Sequence, residues 1–211
     1  MDEIIQGSDE WKALRCGKVT ASRVADVIAK TKSGWGASRF NYAAELIAER
    51  LTGVAAEAFT NAAMQWGTDQ EPSARMAYEF MQDVTVEQIA FVAHPSIADA
   101  GASPDGLVGE SGLVEIKCPN TATHIDTLIK QEIPAKYITQ MMWQMACTGR
   151  KWCDFVSYDP RLPESMQLFV KRIDRDDKLI AELESEVSIF LDTEVSTKVG
   201  ALRQLYEQEA A

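Results

Sequence analysis

The tract ASPDGLVGESGLVEIKCPN, residues 102–120, places Asp105 behind a Ser-Pro turn, with Glu115 and Lys117 following on either side of Ile116. In a strand, residues two apart share a face, so Glu115 and Lys117 point one way while Val114, Ile116 and Cys118 point the other. The apolar face suits a core, and the charged face must be solvated, paired or used. A cross-strand ion pair at a sheet edge is the ordinary account, worth about 0.2–1 kcal/mol. The other account is metal-dependent hydrolysis of a phosphodiester. Hard Mg2+ takes oxygen ligands, commonly one or two carboxylates completed by waters and a phosphate oxygen. Asp105 and Glu115 can supply the carboxylates, and Ile116 a backbone carbonyl. A bound metal acidifies its water and clamps developing negative charge, while an ammonium such as that of Lys117 can orient the water and stabilise the same charge. At about 4 Å and an effective dielectric near 20, one such contact is worth on the order of 4 kcal/mol, roughly a thousandfold in rate.

These side chains need elements to hold them. TASRVADVIAK opens on a capping Thr or Ser and sets Val24, Val27 and Ile28 at helical spacing. KTKSGWGASR reads as a loop, FNYAAELIAERLTG as a helix stopping at Gly53, and a third helix is expected from about Glu71-Pro72, with proline in its first turn. The period then changes. VEQIAFVA alternates as one strand, and short strands are expected around 98–103 and 113–118. IPAKYITQMMWQMACTG is a helix between Pro134 and Gly149, and WCDFVSY and MQLFVKRI are strands. The tail over 175–209 is an amphipathic helix or helix pair with Leu179, Leu183, Val187, Ile189 and Phe190 inward. This order predicts a single α/β or α+β domain over 1–211, a mixed central sheet flanked by helices. Its core spans about 66–173, with an N-terminal helical region at 9–55 and a C-terminal helical appendage at 174–211.

Composition narrows the class. A chain of 211 residues buries a real core without staples. Four cysteines without C-x-x-C spacing and two histidines suggest neither zinc nor a disulfide framework, so reduced cytosolic thiols are expected. No leader or membrane-spanning run is evident, and a cytoplasmic protein is expected. The net charge of −11 argues against indiscriminate nucleic-acid binding. Yet residues 11–40 hold Lys12, Arg15, Lys18, Arg23, Lys30, Lys32 and Arg39 against Asp26 alone, a balance of +6, whereas the chain from Asp174 onward carries −6. Either a solvated helix face or one basic groove in an otherwise repelling surface gives this pattern.

The pattern SPDG…LVEIKCP resembles the active-site signature of the lambda-exonuclease (YqaJ-like viral recombinase) family of the PD-(D/E)XK nuclease superfamily. Three further blocks resemble the family in the same order: DEWKALRCGKVTAS its W…LR.G..TAS segment, MQWGTDQEPSAR its WG...E..AR helix, and YITQMMWQM its Y..Q.Q..M segment. YDPR also occurs in phage exonucleases of this group. The resemblance implies that Asp105 and Glu115 are metal carboxylates with the Ile116 carbonyl beside them, that Lys117 is the catalytic lysine, and that Glu71 and Gln140 belong to the active site. It implies that Arg15, Ser22 and Ser103 hold a terminal 5′-phosphate, and it places Lys32 near a strand-guiding basic position. Trp11 either packs the core or stacks on a base. Gln144, one turn beyond Gln140, is expected to be supporting or structural. Glu71 also has an ordinary reading, as an acid in the first turn of its helix.

The implied function is a phage or prophage alkaline exonuclease, dependent on Mg2+ with Mn2+ as a substitute. It would digest linear duplex DNA from 5′ ends to mononucleotides and leave a 3′ single strand. A ring-shaped homotrimer and a single-strand annealing recombinase as partner are implied with it. Two alternatives stand beside it: a PD-(D/E)XK endonuclease or junction resolvase without end recognition, and a nuclease-like DNA-binding recombination scaffold without turnover.

Overall fold

A computed structural model describes residues 4–56 and 61–206. Ser8 caps α1 (Asp9–Arg15) by accepting the Trp11 N–H. β1 (Val19–Thr20) leads through a 3-10 turn (Ala21–Arg23) into α2 (Val24–Val27). TASRVADVIAK is thus a strand end and two short turns; burial of Val24 and Val27 stabilises it, without the length a helix needs alone. Where a loop was expected, β2 (Lys30–Thr31) and β3 (Gly34–Trp35) pair as a hairpin. α3 (Ala37–Thr52) ends as read from its sequence, at Gly53 in the left-handed region with φ 70°.

The third long helix departs from expectation. α4 spans Ala62–Gln82, and its start signal is Asn61, whose side chain accepts the Met64 N–H. Pro72 therefore lies inside the helix and leaves the Thr68 carbonyl without its usual donor. Packing holds the helix regardless, because Ala74 and Tyr78 are fully buried on its inner face. The Tyr78 hydroxyl donates to Asp154 at 2.8 Å, and Arg172 grips the same carboxylate at 2.7 and 2.8 Å, pinning α4 to the sheet.

VEQIAFVA divides into β4 (Val86–Glu87) and β5 (Val92–Ala93), which join different sheets. β6 (Ala100–Ala102), β7 (Gly106–Val108) and β8 (Gly112–Lys117) follow, then α5 (Thr121–Lys130), α6 (Ala135–Thr148), β9 (Trp152–Tyr158) and β10 (Leu168–Asp174). α7 (Asp177–Phe190) passes through a π-helical stretch (Leu191–Ser196) into α8 (Thr197–Tyr206), making the long C-terminal helix. Leu183, Val187 and Phe190 point inward as expected, whereas Ile189 is half exposed. Positions 207–209 of the expected tail lie outside the described residues.

The central sheet has order β10-β9-β8-β7-β4, and only β8 and β9 run parallel. A smaller sheet, β1-β6-β5, lies beside it. Two apolar clusters sandwich the main sheet. Leu113, Phe155 and Phe169 pack against α6 and α7 on one face; Val114, Ile116 and Val156 pack against Ala74 and Tyr78 of α4 on the other.

The basic N-terminal run does not form one open face. Arg39 is buried, bonded to Glu194 at 2.6 Å and to the Val27 carbonyl. Arg23 pairs with Asp26 and Glu45, and Lys12 with Asp9. Asp26 is already in the balance of +6, whereas Asp9 and Glu45 lie just outside the counted window and Glu194 far along the chain, so a local count misses them.

Candidate active site

β7 and β8 form an antiparallel hairpin with Gly106 opposite Val114. Continuing that register sets Asp105 opposite Glu115 and Pro104 opposite Ile116. Asp105 Oδ2 accepts the Ile116 N–H at 2.6 Å, doing what a backbone carbonyl would do one rung earlier. The N–H and carbonyl of one strand residue point to the same edge. The Ile116 carbonyl therefore faces the Asp105 side, where Pro104 has no N–H to offer it. Proline ends the ladder and leaves an oxygen-lined edge.

Glu115 shares a face with Leu113 and is fully buried under α6. Gln140 Nε2 donates to its Oε1 and Gln144 Nε2 to its Oε2, each at 2.6 Å. Lys117 Nζ pairs with Oε1 as well and lies 5.5 Å from the centre of the Tyr137 ring. Burial alone would lower the Lys117 pKa, but the charges of Glu115 and Asp105 raise it overall, so Lys117 is a fixed cation. Burial, then the charge of Glu115, pushes the Asp105 carboxyl well above its usual range, with Glu71 adding to the effect. Glu71 comes from the middle of α4, where the helix dipole gives it nothing, and it holds Arg75 at 2.7 Å. Cys118 is a buried thiol that burial and then Glu71 push up to about 12, unsuited to nucleophilic work.

Among the described residues no cluster of three or more His, Cys, Asp or Glu is placed to hold a metal ion. The donors gathered here are two carboxylates and a carbonyl, an all-oxygen set that fits Mg2+ completed by water and does not fit zinc. Two adjacent carboxylates, one held against ionisation, form a site that a divalent cation relieves.

A second cluster lies one residue beyond Pro104. Arg15 Nη1 donates to Ser103 Oγ at 3.1 Å, and the Trp11 indole N–H reaches the same oxygen at 3.0 Å and the Ala90 carbonyl at 2.9 Å. The Arg15 guanidinium stacks 4.0 Å from the centre of the Trp11 ring. No carboxylate of the described residues lies within ion-pair distance of Arg15, and burial lowers its pKa, an effect only partly offset by Tyr42 and Glu49. A desolvated cation without a counter-ion suits an anion. Ser22 is exposed on the 3-10 turn two residues past Thr20, which Arg15 Nη2 also reaches, at 3.5 Å. Lys32 is exposed at the tip of the β2–β3 hairpin and touches neither cluster.

Gln144 takes the supporting place expected of it, donating to the second oxygen of Glu115. Its spacing of four from Gln140 was the available signal. Both histidines are structural: His124 bonds Ser157 and the Met166 carbonyl, and His94 stacks on Trp143.

An aspartate just before one strand, E-x-K on the next and helices on both faces of a mixed sheet give a PD-(D/E)XK-like fold. Residues 10–151 match the YqaJ-like viral recombinase domain, and the chain belongs to that family. The alkaline exonuclease LHK-Exo of Laribacter hongkongensis, solved with dAMP, is 55% identical over 95% of this chain and 99% of its own, with TM-score 0.89. A second structure of LHK-Exo is 54% identical over 96% and 98%, with TM-score 0.85. A phage-related exonuclease of Haemophilus somnus shares the fold at 17% identity, covering 85% of this chain and 94% of its own, with TM-score 0.67. A comparison with curated proteins gave no match. The protein is a nuclease with a DNA exonuclease role in recombination. Among the described residues no helix is long and apolar enough to cross a membrane.

Proposed function

We propose that the protein is a Mg2+-dependent exonuclease, with Mn2+ as a substitute, that digests the 5′-ended strand of linear duplex DNA to mononucleotides and leaves a 3′ single strand. One observation carries this reading. Ser103 and Asp105, two residues apart, belong to two different clusters, an arginine pocket with no counter-ion among the described residues and a carboxylate–lysine site. An end-phosphate seat and a cutting site thus share one short tract.

Asp105, Glu115 and the Ile116 carbonyl would hold the metal, which when bound supplies Lewis acidity and an acidified water. Gln140 and Gln144 fix the Glu115 carboxylate from both oxygens, so that it need not reorganise. Lys117 sets a permanent positive charge beside the phosphate and orients the attacking water. Glu71 adds negative charge near Asp105. Arg15 and Ser103, with Ser22 close by in the chain, donate to the terminal phosphate, and Trp11 buttresses Arg15 from its ring face. Lys32, at the hairpin tip, guides the strand. In this reading three copies form a ring around DNA, a single-strand annealing recombinase receives the product strand, and the setting is a phage or prophage system in the bacterial cytoplasm.

Matched linear duplexes with 5′-phosphate or 5′-hydroxyl ends, digested with Mg2+ or EDTA beside a closed circle, test the reading. The expected result is metal-dependent loss of linear DNA alone, faster from the phosphate, with Arg15→Gln erasing that preference. Cutting of the circle would move the protein to the endonuclease reading.

Gln144→Met keeps the volume and removes one hydrogen bond to Glu115. Removing such a partner of a metal ligand costs about 10–100-fold in metal affinity or activity. Calorimetric titration with Mg2+ should show weaker binding of that order. Unchanged binding would leave Gln144 a packing residue.

A further inference from the structure

Two sequence blocks to which the catalytic site gives no role, Trp66-Gly67 and YDPR at 158–161, meet in space. The Arg161 guanidinium lies 4.4 Å from the centre of the Trp66 ring. Asp159, wholly buried, accepts from Arg161 Nε at 2.7 Å, Nη2 at 3.0 Å and the backbone N–H at 3.0 Å. Burial alone would raise the Asp159 carboxyl, but hydrogen bonds from Arg161 and Thr121 bring it down to about 2. The carboxylate is an inward anchor, while the arginine side chain, 43% exposed, faces out. Nη2 also donates to the Pro119 carbonyl at 3.3 Å. Among the described residues Nη1 has no hydrogen-bond partner, nor has the buried Trp66 indole N–H.

The pair sits at the rim of the candidate active site. Lys117 pairs with Ser157 on the parallel strand β9. Two residues further on, Pro119 comes level with Asp159, roughly 7 Å past Lys117 at strand spacing. Gly67 backs onto the same segment: a Cβ there would lie 3.8 Å from the Cys118 carbonyl. A tie between α4 and the β9–β10 connection would need only the packing of Arg161 on the Trp66 ring, and would not leave two donors idle. A guanidinium flattened on an indole, with one edge open, fits a phosphate oxygen. Cation–aromatic surfaces of this kind track nucleic-acid backbones.

We propose that Trp66 and Arg161 form a DNA-backbone subsite in which Arg161 Nη1 donates to a phosphodiester next to the one being cut. This rests on the nuclease reading of Asp105, Glu115 and Lys117. The full chain carrying Lys117→Met, which spares the DNA, is titrated with a fluorescent linear duplex across several salt concentrations, with and without Arg161→Gln. Loss of one phosphate contact lowers the log–log salt slope by about 0.9 and weakens binding on the order of tenfold. In the cleaving protein the same change should raise KM with kcat moving less than about twofold, the pattern of lost binding shared by ground and transition states. Arg161→Lys keeps Asp159 paired and serves should the glutamine variant fail to fold: without the planar fork it should bind several-fold more weakly. A folded Arg161→Gln protein with unchanged slope and affinity, or an Arg161→Lys protein that binds like the parent, overturns the subsite. If the parent neither binds nor cuts linear duplex, the nuclease reading fails instead.

Discussion

Lys117→Met is expected to leave a folded protein that binds linear duplex but cleaves it about a thousandfold more slowly. The size follows from one charge at about 4 Å and an effective dielectric near 20, on the order of 4 kcal/mol at the transition state. Folding should survive because Lys117 stands at the end of β8, while the carboxylate it leaves behind keeps hydrogen bonds from Gln140 and Gln144. Single-turnover cleavage with excess enzyme, beside a thermal melt, separates chemistry from stability. A loss below tenfold in a well-folded variant would reduce Lys117 to the structural partner of the buried Glu115 carboxylate.

Asp105→Asn should do two things at once: abolish cleavage and stabilise the metal-free protein. The Asp105 carboxyl is raised above its ordinary 3.8, by burial first and the charge of Glu115 second. A raised folded-state pKa contributes stability that is complete below the ordinary value and is lost as pH climbs through the raised one. In EDTA the parent should therefore lose stability on going from acid toward neutral and alkaline pH, and Asp105→Asn, neutral throughout, should lose less. Mg2+ should raise the parent's Tm most at alkaline pH and leave the variant's almost unmoved, since binding stabilises only a protein with a site. Melts across pH with EDTA or Mg2+ decide it. A Mg2+ shift that survives in Asp105→Asn would take the metal away from this carboxylate.

How much of this could be read from the sequence follows from which contacts are local. The strand face shared by Glu115 and Lys117, the end of α3 at Gly53 and the limits of β9 depend on near neighbours and were legible. The start of α4 was misplaced because Pro72 is a stronger local mark than Asn61, and the packing of Tyr78 that overrides it comes from distant Asp154 and Arg172. β4 and β5 looked like one strand because alternation says nothing about which sheet a residue joins. Arg39 looked like part of a basic groove because Glu194, its partner, is far along the chain. The two glutamines on Glu115 were visible as a helical pair, but their common target was not.

The tract Ser103-Pro104-Asp105 has a metrical consequence. A two-residue step spans at most about 7 Å, a length on the scale of one nucleotide. In the proposed reading, a terminal phosphate seated on the first residue and the bond to be broken held at the third would make the peptide a ruler, stiffened by the ring of Pro104 together with the Gln6 amide, which donates to the Pro104 carbonyl at 2.8 Å. Product length would then be written in covalent geometry and would not depend on how fast the enzyme travels. Slackening the middle residue would blur the size of the fragments before it slowed their release.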